Sequence, residues 1–194
     1  MLSPLSLTGD LVGLEPLHPD HHDQLVDAVR DGRLWELWYT SVPAPDAMAA
    51  EIEDRLAQQA AGTMLPFAVR HNATGRLVGM TTYLNVELDV PRLEIGATWT
   101  ARWAQRTGVN AESKLLLLTN AFDVLGCIAV EFRTHWHNLQ SRAAIERLGA
   151  KQDGVLRNHR RAPDGSLRDT VVYSITDAEW PAVRAGLRHR LARS

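Results

Sequence analysis

The sequence predicts an α/β (α+β) fold: a mixed, mostly antiparallel central sheet of six to seven strands with helices on both faces. Three observations lead there. Strand-length apolar runs recur three times in succession between Leu65 and Thr100, which makes an antiparallel meander. At Gly108 the period changes to that of a long apolar helix that leads back into a strand, a strand-helix-strand crossover. No linker-like, repetitive or low-complexity stretch interrupts the order, so residues 1–194 are expected to form one domain.

Leu11-Val12-Gly13-Leu14-Glu15-Pro16-Leu17 has the apolar content of a strand, and Pro19-Asp20 offers a cap before a helix bearing Leu25, Val26 and Val29. After Pro45-Asp46, Met48, Ile52 and Leu56 recur at four-residue spacing, the stripe of a second helix that Gly62 ends. Between these helices, Leu34 to Pro43 is rich in aromatics and closes on turn residues. The meander follows as Leu65 to Arg70, Arg76 to Val86 and Arg92 to Thr100, with a turn at Asn72-Ala73-Thr74-Gly75. The helix opened by Gly108 runs through Leu115-Leu116-Leu117-Leu118 and Ala121-Phe122 to Leu125, apolar on most sides, as deep packing against a sheet requires. Ile128 to Trp136 reads as a strand and Asn138 to Leu148 as a short helix stopped by Gly149. Strands over Val155 to Arg161 and Leu167 to Ile175 flank the turn Pro163-Asp164-Gly165-Ser166, and a terminal helix begins after Asp177.

Composition narrows the partners. The 45% hydrophobic and 23% charged fractions are ordinary for a globular chain, and no apolar run approaches the roughly 20 residues of a membrane helix. A formal net charge of -2 lacks the basic surplus of nucleic-acid binders, so neither nucleic acid nor membrane is an expected partner. Met1-Leu2-Ser3-Pro4-Leu5-Ser6-Leu7 lacks a basic leader and a small-residue cleavage site, and the expected compartment is the cytoplasm. Cys127 is the single cysteine, and its apolar setting at the expected start of a buried strand favours a core thiol over a nucleophile.

The chemistry concentrates where the period changes, at Gln105-Arg106-Thr107-Gly108-Val109-Asn110. A helix amino terminus leaves backbone N–H groups unpaired and carries partial positive charge, which suits a pyrophosphate, and Gly108 lets the backbone approach it closely. So short a pattern is equally compatible with an ordinary strand-to-helix turn. A nucleotide triphosphate fits poorly, because no Gly-Lys-Ser/Thr follows the loop.

These six residues match the Gln/Arg-x-x-Gly-x-Gly/Ala loop of the GNAT superfamily, with Asn110 in place of the final Gly or Ala. Asn138-Leu139-Gln140-Ser141, Glu146-Arg147-Leu148-Gly149-Ala150, Asp153 to Arg157 and Asp169 to Ser174 follow in order. Nearly the whole chain thus resembles the RimJ/RimL-like, ribosomal-protein N-acetyltransferase branch of that superfamily, most strongly from Arg92 to Ile175. The resemblance implies a GNAT fold with a splayed sheet, acetyl-CoA as cosubstrate and no metal. By it, Gln105, Arg106, Thr107, Gly108, Val109, Asn110 and Ala111 form the pyrophosphate loop. Thr98, Trp99 and Thr100 would pair with the pantetheine amides, and Asn138 and Ser141 would lie along the pantetheine arm. The implied activity is acetyl transfer to a primary amine, a protein or peptide N-terminal amine first and a small-molecule amine second. A non-catalytic CoA-binding module is the alternative of a different class, and a homodimer is compatible with the resemblance.

Acetyl transfer needs an unprotonated amine, a polarised thioester carbonyl and a proton for the thiolate. An α-amine of pKa about 8 gives up its proton more readily than a lysine of about 10.4, which leaves a base modest work. Glu94, on the strand leading to the loop, is the candidate base, directly or through water; Glu87, Asp89 and Glu131 compete, and the alternative for Glu94 is a solvated strand charge. The oxyanion is expected to meet a backbone N–H near Ala97 or Trp99. By the resemblance Ser141 is the candidate acid at the CoA sulfur, with capping of the helix after Asn138 as its other reading. Trp35, Trp38 and Tyr39 are the candidate acceptor wall, against the commoner role of core aromatics. His18, His21 and His22 crowd the first helix, but no nearby carboxylate or cysteine completes a convincing metal set. His135 and His137 flank Trp136, and Arg142 and Arg147 either reach the cofactor phosphates or decorate their helix.

Overall fold

A computed structural model describes residues 3–87, 89–162 and 164–193, so Met1, Leu2, Leu88, Ser194 and the Pro163 of the expected turn lie outside the described residues. The strands are β1 (Leu7–Thr8), β2 (Val12–Pro16), β3 (Met64–His71), β4 (Arg76–Glu87), β5 (Arg92–Thr100), β6 (Ala129–His135), β7 (Lys151–Arg161) and β8 (Leu167–Thr176). The helices are α1 (His22–Arg30), α2 (Met48–Ala60), α3 (Val109–Thr119), α4 (Leu139–Glu146) and α5 (Trp180–Leu191). One eight-stranded sheet runs in the order β1-β2-β3-β4-β5-β6-β8-β7. Its β5–β6 pair is parallel and the other pairs are antiparallel.

Alternation along the strands feeds two cores. Phe67, Tyr83, Leu93, Ile95, Phe132 and Tyr173 point to the side of α3 and α5 and meet Leu117, Leu118 and Trp180. Leu77, Met80 and Trp99 point to the other side and meet Leu25, Met48 and Ile52 of α1 and α2. Complete burial of a side chain such as Leu117 or Met48 stabilises the fold by about 2 kcal/mol each.

The eighth strand, beyond the six to seven expected, is β1. Two residues leave no periodic signal, and a tertiary contact holds them. The Glu112 carboxylate of α3 accepts the backbone N–H groups of Asp10 (3.0 Å), Leu11 (2.7 Å) and Val12 (2.8 Å), pinning the β1–β2 turn. Gly9 makes the approach possible, since a Cβ there would lie 2.5 Å from the Glu112 carboxyl carbon.

Three local differences from the sequence reading have physical causes. The cap ahead of α1 is His18 rather than Asp20: its ring Nδ1 accepts the Asp20 N–H (3.3 Å), and the His21 Nδ1 accepts the His18 N–H (3.1 Å). Strand β7 starts at Lys151, four residues before Val155, because pairing with β8 overrides a polar sequence. The α3 helix widens into a π-turn over Asn120–Val124. There the buried Tyr83 hydroxyl donates to the Leu117 carbonyl (2.6 Å) and the Asn120 amide donates back to Tyr83 (3.3 Å), an insertion of the kind that distorts a helical ladder. Cys127 is buried in the turn ahead of β6, with burial raising its thiol pKa.

Candidate active site

Parallel pairing of β5 with β6 lasts for three register pairs: Arg92 with Ala129, Leu93 with Val130 and Glu94 with Glu131. Beyond Glu94, β5 continues to Thr100 and β6 to His135 without pairing to each other, so the sheet opens between them. A bulge lies on the β5 side of the opening. Between the pairs Thr82–Gly96 and Met80–Trp99, β4 sets Thr81 alone against Ala97 and Thr98, and Ala97 takes a left-handed φ of 45°.

Two buried cations clamp this bulge from opposite faces. From α2, both terminal nitrogens of Arg55 donate to the Ala97 carbonyl at 3.3 Å and one reaches Thr82 Oγ1 at 2.8 Å, while Nε pairs with Glu51 at 2.7 Å. From α3, Lys114 Nζ donates to Thr98 Oγ1 (2.9 Å) and Thr81 Oγ1 (3.1 Å), and those hydroxyls lie 2.8 Å apart. Lys114 is 5% exposed and has no ion-pair partner among the described residues. Burial pushes its pKa down to about 7.

Because β5 and β6 are parallel, the helices that follow them begin at the same end of the sheet. Gly108, at φ 87°, precedes the first turn of α3, which has no side-chain cap, and Arg106 is also left-handed at φ 64°. Among the described residues no side chain caps the N–H groups of that turn, which leaves them to meet an anion. Gln105 ties the loop down, donating to the Thr100 carbonyl (2.9 Å) and accepting from Gln140 of α4 (3.3 Å), and the Thr107 hydroxyl donates to the Ala104 carbonyl (2.6 Å). Val109 is buried, while Asn110 and Ala111 are partly exposed on the first turn. On β5, Thr98 is exposed, Thr100 is half-buried, and the Trp99 ring is sunk in the α1/α2-side core, so Trp99 offers the opening only its backbone.

At α4 the capping group is Asn138, whose Oδ1 accepts the Ser141 N–H at 3.0 Å. The cap does not use the Ser141 hydroxyl, which removes the capping reading for that side chain. Arg142 is held by neighbouring groups, stacking over Trp136 in the turn before α4 (4.4 Å) and donating to the Tyr173 hydroxyl of β8 (3.2 Å). Arg147 lies exposed at the end of α4.

Glu94 is 8% exposed. Asn85, set in a second bulge of β4 at φ 48°, donates to Glu94 Oε2 at 2.9 Å, and Arg133 lies 3.6 Å from the same oxygen. The other oxygen faces space left by Gly96, where a Cβ would lie 2.8 Å away. Burial raises the Glu94 pKa, and Arg133, the Asn85 hydrogen bond and Arg160 pull it back. Among the competing carboxylates, Glu131 is occupied by Arg92 and Arg133, and Glu87 and Asp89 are exposed near the β4–β5 turn. The expected aromatic wall divides. Trp38 packs on Tyr39 (5.6 Å), His135 (5.3 Å) and His137 (5.4 Å), whereas Trp35 packs against the α1/α2-side core.

Sequence reasoning passed over Lys114, Glu112 and Arg55. The first two are polar residues in a leucine-rich helix, and that interruption of an otherwise apolar face was the available signal.

The chain belongs to the GNAT acetyltransferase family, since residues 12–151 match that family's acetyltransferase (GNAT) domain. It is similar to YdaF of Bacillus subtilis (strain 168), proposed to be a ribosomal N-acetyltransferase, at 31% identity over 106 residues; the match covers 55% of this chain and 57% of that relative's length. A GCN5-related N-acetyltransferase from Brucella melitensis is similar in structure (TM-score 0.84, 30% identity, 98% of this chain and 86% of that one). Mycobacterium smegmatis RimJ, solved in complex with CoA-disulfide, shares the fold (TM-score 0.77, 21% identity, 97% of this chain and 93% of that one). No helix among the described residues is long and apolar enough to cross a membrane.

Proposed function

We propose that this chain, acting as a single domain, moves an acetyl group from acetyl-CoA to a primary amine, with a protein or peptide N-terminal amine as first acceptor and a small-molecule amine as second. One observation carries the reading: the β5–β6 opening lies beside two helix amino termini, that of α3 bare and glycine-flanked. That arrangement fits an elongated ligand with a diphosphate at one end and amide groups along its length. The proposed role of YdaF as a ribosomal N-acetyltransferase and the CoA-disulfide bound by RimJ support the same ligand and acceptor.

When bound, acetyl-CoA supplies the acyl group and a thiolate leaving group. The N–H groups around Gly108, from Arg106 to Ala111, bind the diphosphate through the α3 dipole. Backbone groups of Thr98, Trp99 and Thr100, free of β6, accept and donate to the pantetheine amides, and an N–H near Ala97 or Trp99 stabilises the charge that develops on the carbonyl oxygen. Asn138 sets the start of α4 and so the place of Ser141, which donates a proton or hydrogen bond to the departing sulfur. Glu94 takes the amine proton through its oxygen above Gly96, and Trp38 and Tyr39 wall the acceptor.

Only the carboxylate form of Glu94 can act as base, so the rate rises with pH through the raised Glu94 pKa. Glu94→Gln should lower the rate at neutral pH by about 100-fold with little change in acetyl-CoA affinity, as measured by free-thiol release over a panel of peptides and amines. An unchanged rate removes Glu94 from the mechanism. Cofactor binding with no thiol release from wild type on any acceptor would favour a CoA-binding module instead.

A further inference from the structure

Arg160 of β7 and Arg168 of β8 are direct cross-strand partners. Side chains so paired stand on one face, where like charges oppose each other and weaken the sheet. Among the described residues neither guanidinium has a carboxylate partner, and the Arg168 Nε is buried without a hydrogen-bond partner. Neighbouring arginines are matched: Arg157 by Asp169 at 2.6 Å, and Arg92 and Arg133 by Glu131.

The pair faces the candidate site. Leu93 and Ile95 of β5 and Val171 and Tyr173 of β8 join the α3-side core, so alternation puts Glu94, Thr170 and Arg168 together on the opposite face. His159 links the two strands there, its Nδ1 lying 3.1 Å from Thr170 Oγ1. Burial first, and then the charges of Arg160, Arg133 and Arg168, hold this imidazole below its usual pKa. The Arg160 charge also reaches Glu94. Among the described residues, the open face near the candidate base thus carries two guanidiniums in excess of its carboxylates, one of them half-buried with its Nε short of an acceptor. A guanidinium fork is built for bidentate binding of a carboxylate or phosphate.

We infer that the acceptor is anionic: Arg160 and Arg168 bind a carboxylate or phosphate carried by the acceptor, a few bonds from the amine presented to Glu94. This rests on the acetyltransferase reading above and names the substrate class of the same site. Two sources share the chemistry, an acidic peptide amino terminus and a small amine bearing a phosphate, and matched acceptors separate them. The first pair is peptides beginning Ser-Asp-Glu or Ser-Asn-Gln, and the second is phosphoethanolamine or ethanolamine. Wild type should favour the anionic member of at least one pair by about tenfold or more in kcat/KM. The Arg160→Met/Arg168→Met double variant should lose that preference while keeping its KM for acetyl-CoA and, at alkaline pH where Glu94 stays ionised without the Arg160 charge, its rate on the neutral member. Equal use of both members by wild type, or a preference that survives in the double variant, overturns the inference while leaving the acetyltransferase intact. If no acceptor is acetylated, the acetyltransferase reading is what fails. Calorimetry with the two peptides then judges the anion site alone: tighter binding of the acidic peptide, lost in the double variant, supports it, and equal or absent binding sinks it.

Discussion

Lys114 offers the sharpest quantitative test, because its ammonium is buried against two hydroxyls and, among the described residues, no carboxylate. In the unfolded chain a lysine holds its proton to about pH 10.4. In the folded protein burial lowers the pKa to about 7. A base with a depressed folded pKa binds more protons unfolded than folded between those values, so its contribution to stability rises with pH there. The limiting slope is about 1.4 kcal/mol per pH unit, and integration from pH 7.5 to 9.5 gives about 2–3 kcal/mol. Lys114→Met keeps the length and apolar bulk, removes the titration, and leaves Thr81 and Thr98 bonded to each other at 2.8 Å. Urea unfolding at pH 7.5, 8.5 and 9.5 should therefore show wild type gaining about 2–3 kcal/mol relative to the variant across that range. Cys127 and Tyr83, whose pKa values burial raises, work in the opposite direction but are common to both proteins and cancel in the difference. Parallel stability curves for the two proteins would show that Lys114 keeps an ordinary pKa and that its burial is relieved by something other than loss of charge.

Two further outcomes follow from single contacts. Glu112→Ala strands three backbone N–H groups at the β1–β2 turn and should cost about 2–4 kcal/mol, lowering Tm by roughly 5–15 °C in calorimetry; a shift within 2 °C would mean that water replaces the carboxylate without loss. Ser141→Ala should reduce turnover at saturating acetyl-CoA by about tenfold or more without moving Tm, because the α4 cap is Asn138. Undiminished turnover would rule out the proton-donor role.

Most secondary structure was legible because it rests on local periodicity. The four-residue spacing of Met48, Ile52 and Leu56 made α2, and the apolar run after Gly108 made α3. The left-handed Gly108 and the strand on each side of α3 carried the candidate cofactor site, since a crossover of this kind places helix amino termini at one end of a parallel pair. Strand β1 and the π-turn after α3 were illegible, each being held by a contact between residues far apart in sequence, and the His18 cap was missed because an imidazole stands where a carboxylate or hydroxyl is the usual cap.

The sequence by itself therefore determined the order of the elements after β1 and the parallel crossover, because alternation and helical stripes are properties of consecutive residues. Only the tertiary structure decided what stands around the opening. It set Glu94 beneath Asn85 and Arg133, clamped the Ala97 bulge between Arg55 and Lys114, separated Trp35 from Trp38, and stood Arg160 against Arg168. Those pairings join residues up to 42 positions apart, and the register and bulges that create them are chosen by the packing of the whole sheet, which no window of sequence contains.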